Sequence, residues 1–315
     1  MTSLSHPDRG HLLTEQANPA SAELDLLSTA DLVALFVEND RQPQQAVAAA
    51  APALAAAVGA IAARLARGGR LFYLGSGTSG RLGVLDAAEC PPTFCTDPSL
   101  VQGVLAGGPA ALLRSSEGLE DSGEAGRQDL EQRRFAAGDC LVGIAAGGTT
   151  PYVRAALEHA RRIGALAIAL ACVPRDQVAL PCDIDIRLLT GPELLTGSTR
   201  LKAGTATKMA LNILSTGVMV RLGKVHGNRM VDVAVTNAKL EDRALRILRD
   251  LACVERSRGR ELLAASGGSV KLALVMAATG LGAAEARAAL ADHGPGLRSV
   301  LAALGASLQP PAAPQ

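Results

Sequence analysis

A glycine-rich turn that carries several hydroxyl groups is the sharpest chemical feature of the chain. It lies between a short apolar run and a helix-like segment, and it reads Gly75-Ser76-Gly77-Thr78-Ser79-Gly80. At a helix N-terminus, exposed backbone N–H groups and three side-chain hydroxyls suit a terminal phosphate dianion, which accepts many hydrogen bonds. A tight strand-to-helix turn without any ligand is the plainer alternative.

The same glycines satisfy the dinucleotide pattern G-x-G-x-x-G, so that interpretation must be weighed too. A dinucleotide site expects a carboxylate at the end of the next strand, where it holds the ribose hydroxyls. The next apolar run here ends in Leu105-Ala-Gly-Gly108 and carries no acid. The sequence therefore favours a phosphate group over NAD.

A second loop of similar composition, Gly147-Gly148-Thr149-Thr150, follows another apolar run. In a parallel sheet, ligands bind beyond the carboxyl ends of the strands, where the strand order reverses. Two such loops on neighbouring strands would face one pocket. We therefore expect Gly148 and Thr150 to share a site with the first turn.

The stretch Asp86-Ala-Ala-Glu89-Cys-Pro-Pro-Thr93 supplies the first carboxylate that could transfer protons. Pro91 and Pro92 are expected to stop the helix and to leave Glu89 in its last turn. The helix dipole disfavours negative charge there, which would favour the protonated form that a general acid needs. An exposed surface glutamate is the alternative.

A run of acids between Ser116 and Ser122 supplies the second group of carboxylates: Glu117, Glu120 and Asp121. A solvated acidic face is the usual explanation of such a run. If one of these acids belongs to the pocket, it comes from a different element than Glu89. Two carboxylates held on separate elements are the arrangement that acid–base chemistry needs.

The stretch Thr196–Thr205 opens a long helix with hydroxyls and two cations, and it contains Ser198 and Lys202. It is either a capped helix with surface charges, a lid over the anionic pocket, or a subunit contact. The histidines are scattered, and neither they nor the cysteines form a metal-binding pattern, so we expect no metal. His226, in a glycine-containing loop, is expected to have a surface role.

Five short apolar runs alternate with helical segments and must position these residues. They are Arg70–Leu74, Val101–Leu105, Cys140–Ala146, Ala165–Val173 and Ile184–Leu189. This alternation predicts βαβ units and a parallel sheet covered by helices on both faces, a three-layer α/β/α fold. A long helix is predicted over Thr199–Leu222.

The segments on either side are predicted to be helical. The first dozen residues look like a loose tail, and the uncharged, alanine-rich stretch Gln42–Ala63 is interpreted as one soluble helix rather than a membrane span. Beyond Gly223 the strand signals stop and short helices follow. We expect residues 1–57 to form a tail and helices, 58–223 the sheet domain, 224–309 a helical domain, and 310–315 a disordered end.

Composition limits the classes of function. The chain has 315 residues and a formal net charge of +1, with 48% apolar and 2% aromatic residues. A balanced charge argues against nucleic-acid binding, and few aromatics argue against base or sugar stacking. Six cysteines without regular spacing, and no signal-peptide pattern, indicate reduced thiols in a cytoplasmic protein.

Taken together, these strings resemble the N-acetylmuramic acid 6-phosphate etherases, which are sugar-isomerase (SIS) domain proteins related to the glucokinase regulatory protein. The resemblance runs from about Leu13 to the C-terminal helices. The matching strings are Thr14–Asn18, Ser21–Asp25, Tyr73–Gly83, Leu85–Thr93, Glu117–Ser122, Thr196–Thr205 and Gly227–Val233. The string D-A-A-E-C-P-P-T is the most specific of them.

The resemblance implies a cofactor-free, cytoplasmic, homodimeric lyase of cell-wall sugar recycling, with a SIS domain at residues 58–223. Such an enzyme cleaves the lactyl ether of N-acetylmuramic acid 6-phosphate, giving N-acetylglucosamine 6-phosphate and D-lactate. The family's proton donor maps onto Glu89 and its base onto Glu120. The implied phosphate and substrate ligands are Ser76, Gly77, Thr78, Ser79, Gly148, Thr150, Ser198 and Lys202.

One departure from the family pattern lies in the second loop, where Gly147 and Thr149 replace the usual serine and arginine. Contacts from this loop are then expected to fall to backbone N–H groups and Thr150. Two other classes remain open: a non-catalytic sugar-phosphate sensor, and an aldose–ketose isomerase of the same domain family. Release of D-lactate would distinguish the etherase from both.

Overall fold

The computed structural model describes residues 8–114, 117–233, 235, 238–294 and 296–308. Its strands are β1 (Leu71–Gly75), β2 (Val101–Leu105), β3 (Cys140–Ile144), β4 (Leu166–Ala171), β5 (Ile184–Arg187), β6 (Val225–His226) and β7 (Arg229–Met230). Its α-helices are α1 (Thr29–Asn39), α2 (Gln42–Ala49), α3 (Ala51–Leu65), α4 (Gly77–Phe94), α5 (Gly123–Gln132), α6 (Pro151–Arg162), α7 (Lys202–Arg221), α8 (Ala238–Ala252), α9 (Arg256–Ala265), α10 (Val270–Thr279), α11 (Ala283–Asp292) and α12 (Leu297–Ala303).

The first five strands form a parallel sheet in the order β2-β1-β3-β4-β5. Each strand lies within, or one residue from, the apolar run that predicted it, so the predicted α/β class is confirmed. Strands β1, β3 and β4 are buried along their whole length, as continuous apolar strands covered on both faces must be. The strand order reverses between β1 and β3, which places the two glycine loops on either side of the reversal.

The described chain divides into two compact units. The first comprises Met1–Ala88 with Ser99–Ser215, and the second comprises Glu89–Pro98 with Thr216–Gln315. In the first unit, apolar side chains of β1, β3, β4 and α6 form a shared core. In the second, α10 is buried among α8, α9, α11 and α12. The four-part division expected from the sequence stays a prediction, and residues 310–315 lie outside the described part.

Two expectations about the N-terminal third are wrong. The alanine-rich stretch forms two helices rather than one, because the chain leaves α2 at Ala50 and Pro52 occupies the first turn of α3, where a proline needs no N–H partner. The first dozen residues are not all loose, since Leu12 is buried against Ala171 and Val173. Among the described residues, no single helix could span a membrane; two bent helix pairs reach the length and composition only jointly.

Two further expectations are wrong in the second unit. Helix α4 runs through Pro91 and Pro92 to Phe94, because a proline φ suits a helix even though two backbone hydrogen bonds are lost. Glu89 thus lies more than one turn before the helix end, outside the reach of the dipole argument. Beyond Gly223 the strands do not stop: β6 and β7 form an antiparallel hairpin around Gly227, too short to show a periodicity.

Candidate active site

The phosphate-type turn joins β1 to α4 as the sequence predicts. The backbone N–H of Gly80 donates to the carbonyl of Ser76 at 3.1 Å, which closes the first turn of the helix. A Cβ on Gly80 would lie 2.4 Å from the carbonyl oxygen of Gly75, and Gly77 has φ +51°. The turn therefore needs its glycines, and the hydroxyl-bearing residues between them remain partly accessible.

Glu120 lies beside this turn. The Ser76 hydroxyl donates to Glu120 Oε2 at 3.1 Å. The backbone carbonyl of Glu120 accepts from the Tyr152 N–H at the start of α6, also at 3.1 Å, so the residue is held by its main chain as well. The sequence left open whether the acidic run is only a solvated face. Glu120 is half-buried at the carboxyl edge of the sheet, whereas Asp121 is exposed.

The second glycine loop connects β3 to α6. Gly148 is buried with φ +70° against Val178, and Thr150 is the residue that precedes the first turn of α6. Because β3 pairs with β1, this loop follows the strand next to the phosphate-type turn. Gly148 and Thr150 are thereby placed on the same edge as Ser76 and Glu120.

Two residues of the N-terminal segment lie near the second glycine loop and the loop that precedes α7. The Thr14 hydroxyl lies 3.5 Å from the position of a Cβ on Gly147, and Glu15 Oε2 lies 3.2 Å from that of a Cβ on Gly197. The Thr14 hydroxyl also donates to Glu15 Oε1 at 3.0 Å. Neither residue has a role predicted from the sequence, although both belong to the string Thr14–Asn18 that resembles the family.

The loop before α7 is organised by Glu193, a residue that lies outside every motif of the sequence. This buried carboxylate accepts the backbone N–H groups of Lys202 and Ala203 at 3.0 and 2.9 Å, and so caps α7 from nine residues away. Burial raises the pKa of Glu193. Ser198, half-buried, lies within the loop that Glu193 closes, and Gly204 in α7 lies close to Thr78 of the first turn.

Lys202 is almost fully buried. Its ammonium contacts the side-chain oxygens of Gln42 and Asn39, which are neutral. Burial lowers the pKa of Lys202, opposed by the charge of Glu193. The lysine is therefore a cation held inside the first unit rather than a mobile surface group.

Glu89 belongs to the second unit, where its side chain is exposed on α4. His226 is half-buried in the β6–β7 hairpin, and burial lowers its pKa, which favours the neutral ring. Across the described ranges, no group of three or more His, Cys, Asp or Glu side chains is arranged to hold a metal ion.

The α/β unit is similar to a known domain. A family model described as the glucokinase regulatory protein N-terminal SIS domain matches residues 53–161. This region holds both glycine loops and Glu120. A solved structure of phosphoheptose isomerase GmhA from Neisseria gonorrhoeae aligns with a TM-score of 0.44 and 21% identity, covering 60% of this chain and 97% of that one.

Curated relatives extend the likeness to nearly the whole chain. An N-acetylmuramic acid 6-phosphate etherase of Parasynechococcus marenigrum is 73% identical over 301 residues, covering 96% of this chain and 95% of the relative. The etherase of a Synechocystis species is 62% identical, covering 93% and 96%. The chain belongs to the N-acetylmuramic acid 6-phosphate etherase family, which confirms the family that the sequence strings indicated.

Proposed function

We propose that this chain is a carbon–oxygen lyase that cleaves the D-lactyl ether of N-acetylmuramic acid 6-phosphate. The products are N-acetylglucosamine 6-phosphate and D-lactate. Family membership over almost the full length supports the activity. The observation that carries the mechanism is the hydrogen bond between Ser76 and Glu120, because it joins a phosphate-type turn to a carboxylate that can act as a base.

The phosphate is held by the turn between β1 and α4. The hydroxyls of Thr78 and Ser79 and the backbone N–H groups of Ser76 and Gly77 supply its donors, aided by the positive end of the α4 dipole. The Ser76 hydroxyl itself donates to Glu120. We assign further contacts with the sugar phosphate to Gly148, Thr150 and Ser198, and the supporting positive charge to Lys202. Binding of the phosphate fixes the position of the sugar, so the reacting carbons lie at a defined distance from the phosphate turn.

An ether is a poor target for direct displacement, so the first step must weaken it. Opening of the sugar ring makes C1 an aldehyde, and the proton on C2 becomes acidic by conjugation. Glu120 removes this proton as a general base. Its hydrogen bond to Ser76 couples the position of the base to the phosphate turn.

The C3–O bond then breaks as the electrons from C2 form a double bond. Glu89 donates a proton to the departing lactate oxygen, and water adds at C3 while C2 is reprotonated. The two glutamates need opposite protonation states at the start of each cycle, and placing them on separate elements allows this. Each such proton transfer contributes roughly 10²–10⁴-fold in rate.

The direct test is incubation of the purified chain with N-acetylmuramic acid 6-phosphate and an enzymatic assay for D-lactate. Stoichiometric D-lactate and N-acetylglucosamine 6-phosphate are expected. Interconversion of hexose phosphates without lactate would support an isomerase instead. Binding of the sugar phosphate with no turnover would support a sensor.

We also propose that the enzyme works as a cytoplasmic homodimer. The six cysteines, all within the described residues, are free thiols, and a reducing compartment would keep them so. Helix α1 leaves Val33 and Val37 56% and 64% exposed, an apolar face that suits a second copy. Leu113, which is 92% exposed and lies outside α1, provides the control position. Light scattering should give a dimer for the native chain and for Leu113→Glu, and a monomer for Val33→Glu/Val37→Glu. A native monomer would refute the dimer.

A further inference from the structure

A polar cluster outside the proposed proton-transfer pair surrounds Asp86 in the first unit. Asp86 Oδ1 accepts from the Ser215 hydroxyl at 3.1 Å, and the Tyr73 hydroxyl lies close enough to the same carboxyl group to lower its pKa. With its amide oriented to satisfy both groups, Asn212 donates to Asp86 Oδ1 at 3.3 Å and accepts from Lys208 Nζ at 2.7 Å. The cluster thus ties α4 to β1 on one side and to α7 on the other.

These three elements lead to the substrate-binding loops. Strand β1 ends at the phosphate turn, and α4 begins with it. Helix α4 is pressed against β1 at Gly83, where a Cβ would lie 2.8 Å from Tyr73 Cβ. Helix α7 starts beside the same turn, since the Thr78 methyl lies 3.5 Å from the position of a Cβ on Gly204. Asp86 joins all three about two turns below the phosphate turn.

The carboxyl group of Asp86 is held at an energetic cost. Burial raises its pKa from 3.8 to about 6, and the hydrogen bond of Ser215, the Tyr73 hydroxyl and the charge of Lys208 only partly oppose that rise. The folded chain therefore binds more protons than the unfolded chain between these two pKa values, so stability contributed by this group falls as pH rises through the window. A buried acid that costs stability at neutral pH is typical of a functional site.

We propose that Asp86 is a positioning residue of the etherase: its carboxylate sets α4 and α7 against β1 so that the phosphate turn and the Ser198 loop meet the same phosphate group. As an ionised acid, Asp86 accepts from every donor around it; an asparagine would present a donor to some of them. The inference rests on the proposed function, since lactate release is its principal readout.

The first test compares Asp86→Asn with the native chain across pH 5 to 8. We expect kcat/KM for lactate release to fall at least tenfold at pH 7.5. In the plot of kcat/KM against pH, the rise near pH 6 that the native chain shows should be absent. The melting temperature of Asp86→Asn relative to the native chain should rise with pH between about 4 and 7. A merely structural role predicts a lower melting temperature with an unchanged pH profile, which would overturn the proposal.

Ser215→Ala separates titration of Asp86 from general damage to α7. Its hydroxyl lowers the pKa of Asp86, so its removal should move the limb of the pH profile to higher pH.

Thr207→Ala is the matched control, because Thr207 lies on the same helix but its hydroxyl bonds to Cys172. Asp183→Asn controls for loss of a carboxylate, since Asp183 accepts the Ala167 N–H at the amino edge of the sheet. Both controls should keep the native profile; the same shift in either would contradict the proposal.

Binding of N-acetylglucosamine 6-phosphate, measured by calorimetry, distinguishes the two levels of inference. If the native chain releases no lactate but binds the sugar phosphate, and Asp86→Asn weakens that binding about tenfold or more, the proposed activity fails and the positioning role stands. If Asp86→Asn binds and turns over like the native chain, the positioning role fails and the activity stands. If the native chain neither binds nor turns over, both fail.

Discussion

At the scale of single residues, the most informative contact is the donation of the Ser76 hydroxyl to Glu120. The serine belongs to a turn whose composition suits phosphate, and the glutamate belongs to an acidic run that the sequence alone leaves ambiguous. One hydrogen bond therefore removes Glu120 from the class of purely solvated acids.

The variants Glu120→Ala and Glu89→Ala should fail at different steps. Without the base, neither exchange of the C2 hydrogen with solvent deuterium nor lactate release should exceed about 10⁻² of the native rate. Without the acid, C2 exchange should persist while lactate release falls to a similar level. Mass spectrometry of the recovered substrate measures the exchange, and a coupled assay measures lactate.

Glu124→Ala is the matched control for this pair of variants. Glu124 lies four residues after Glu120 on the exposed face of α5, where it pairs with Arg127. Its loss should leave both rates near the native values. Native C2 exchange in Glu120→Ala would show that the assignment of the base is wrong.

At the scale of the elements, the close packing of α4 against β1 fixes the position of the phosphate turn that joins them. Gly83 allows that approach, whereas Gly59 on the exposed face of α3 has no atom within 4 Å of an added Cβ. Gly83→Ala should destabilise the chain by about 1–3 kcal/mol through overpacking and should lower activity. Gly59→Ala should instead stabilise it by about 0.5–1 kcal/mol with activity unchanged.

Chemical denaturation with a parallel lactate assay measures both glycine variants. The two variants should change the free energy of unfolding in opposite directions. A general effect of replacing a helical glycine by alanine would change it in the same direction in both. Equal stability of Gly83→Ala and the native chain would mean that α4 can move away from Tyr73 at little cost. The close packing would then not position the turn.

The elements also show which parts of the structure can be predicted from a sequence. Buried parallel strands such as β4 are predictable, because six consecutive apolar residues flanked by helical segments allow few other structures. The break at Ala50 has a local cause, because Pro52 fits the first turn of α3. The continuation of α4 through Pro91 and Pro92 instead runs against the local preference of proline. In the site, the turn residues are local in the chain and were predicted. Thr14 and Glu15 lie near loops more than a hundred residues away, and the string that contains them does not indicate this proximity.

At the scale of the whole molecule, the cysteines report how the fold excludes solvent. Cys140 and Cys172 are buried in the first unit, and burial raises the pKa of each thiol to about 12. Cys95 and Cys253 are exposed. Because the thiolate is the reactive form and must be reached by the reagent, exposure should decide which thiols react first.

An aromatic disulfide reagent at pH 8 should therefore label the native chain in stages. Cys95 and Cys253 should react first, the half-buried Cys182 more slowly because burial raises its pKa, and the buried thiols only after unfolding, when six are titrated. Peptide mapping identifies the labelled positions. Early labelling of Cys140 or Cys172 would mean that the sheet opens on the timescale of the assay, and the rigid platform on which the phosphate turn depends would be lost with it.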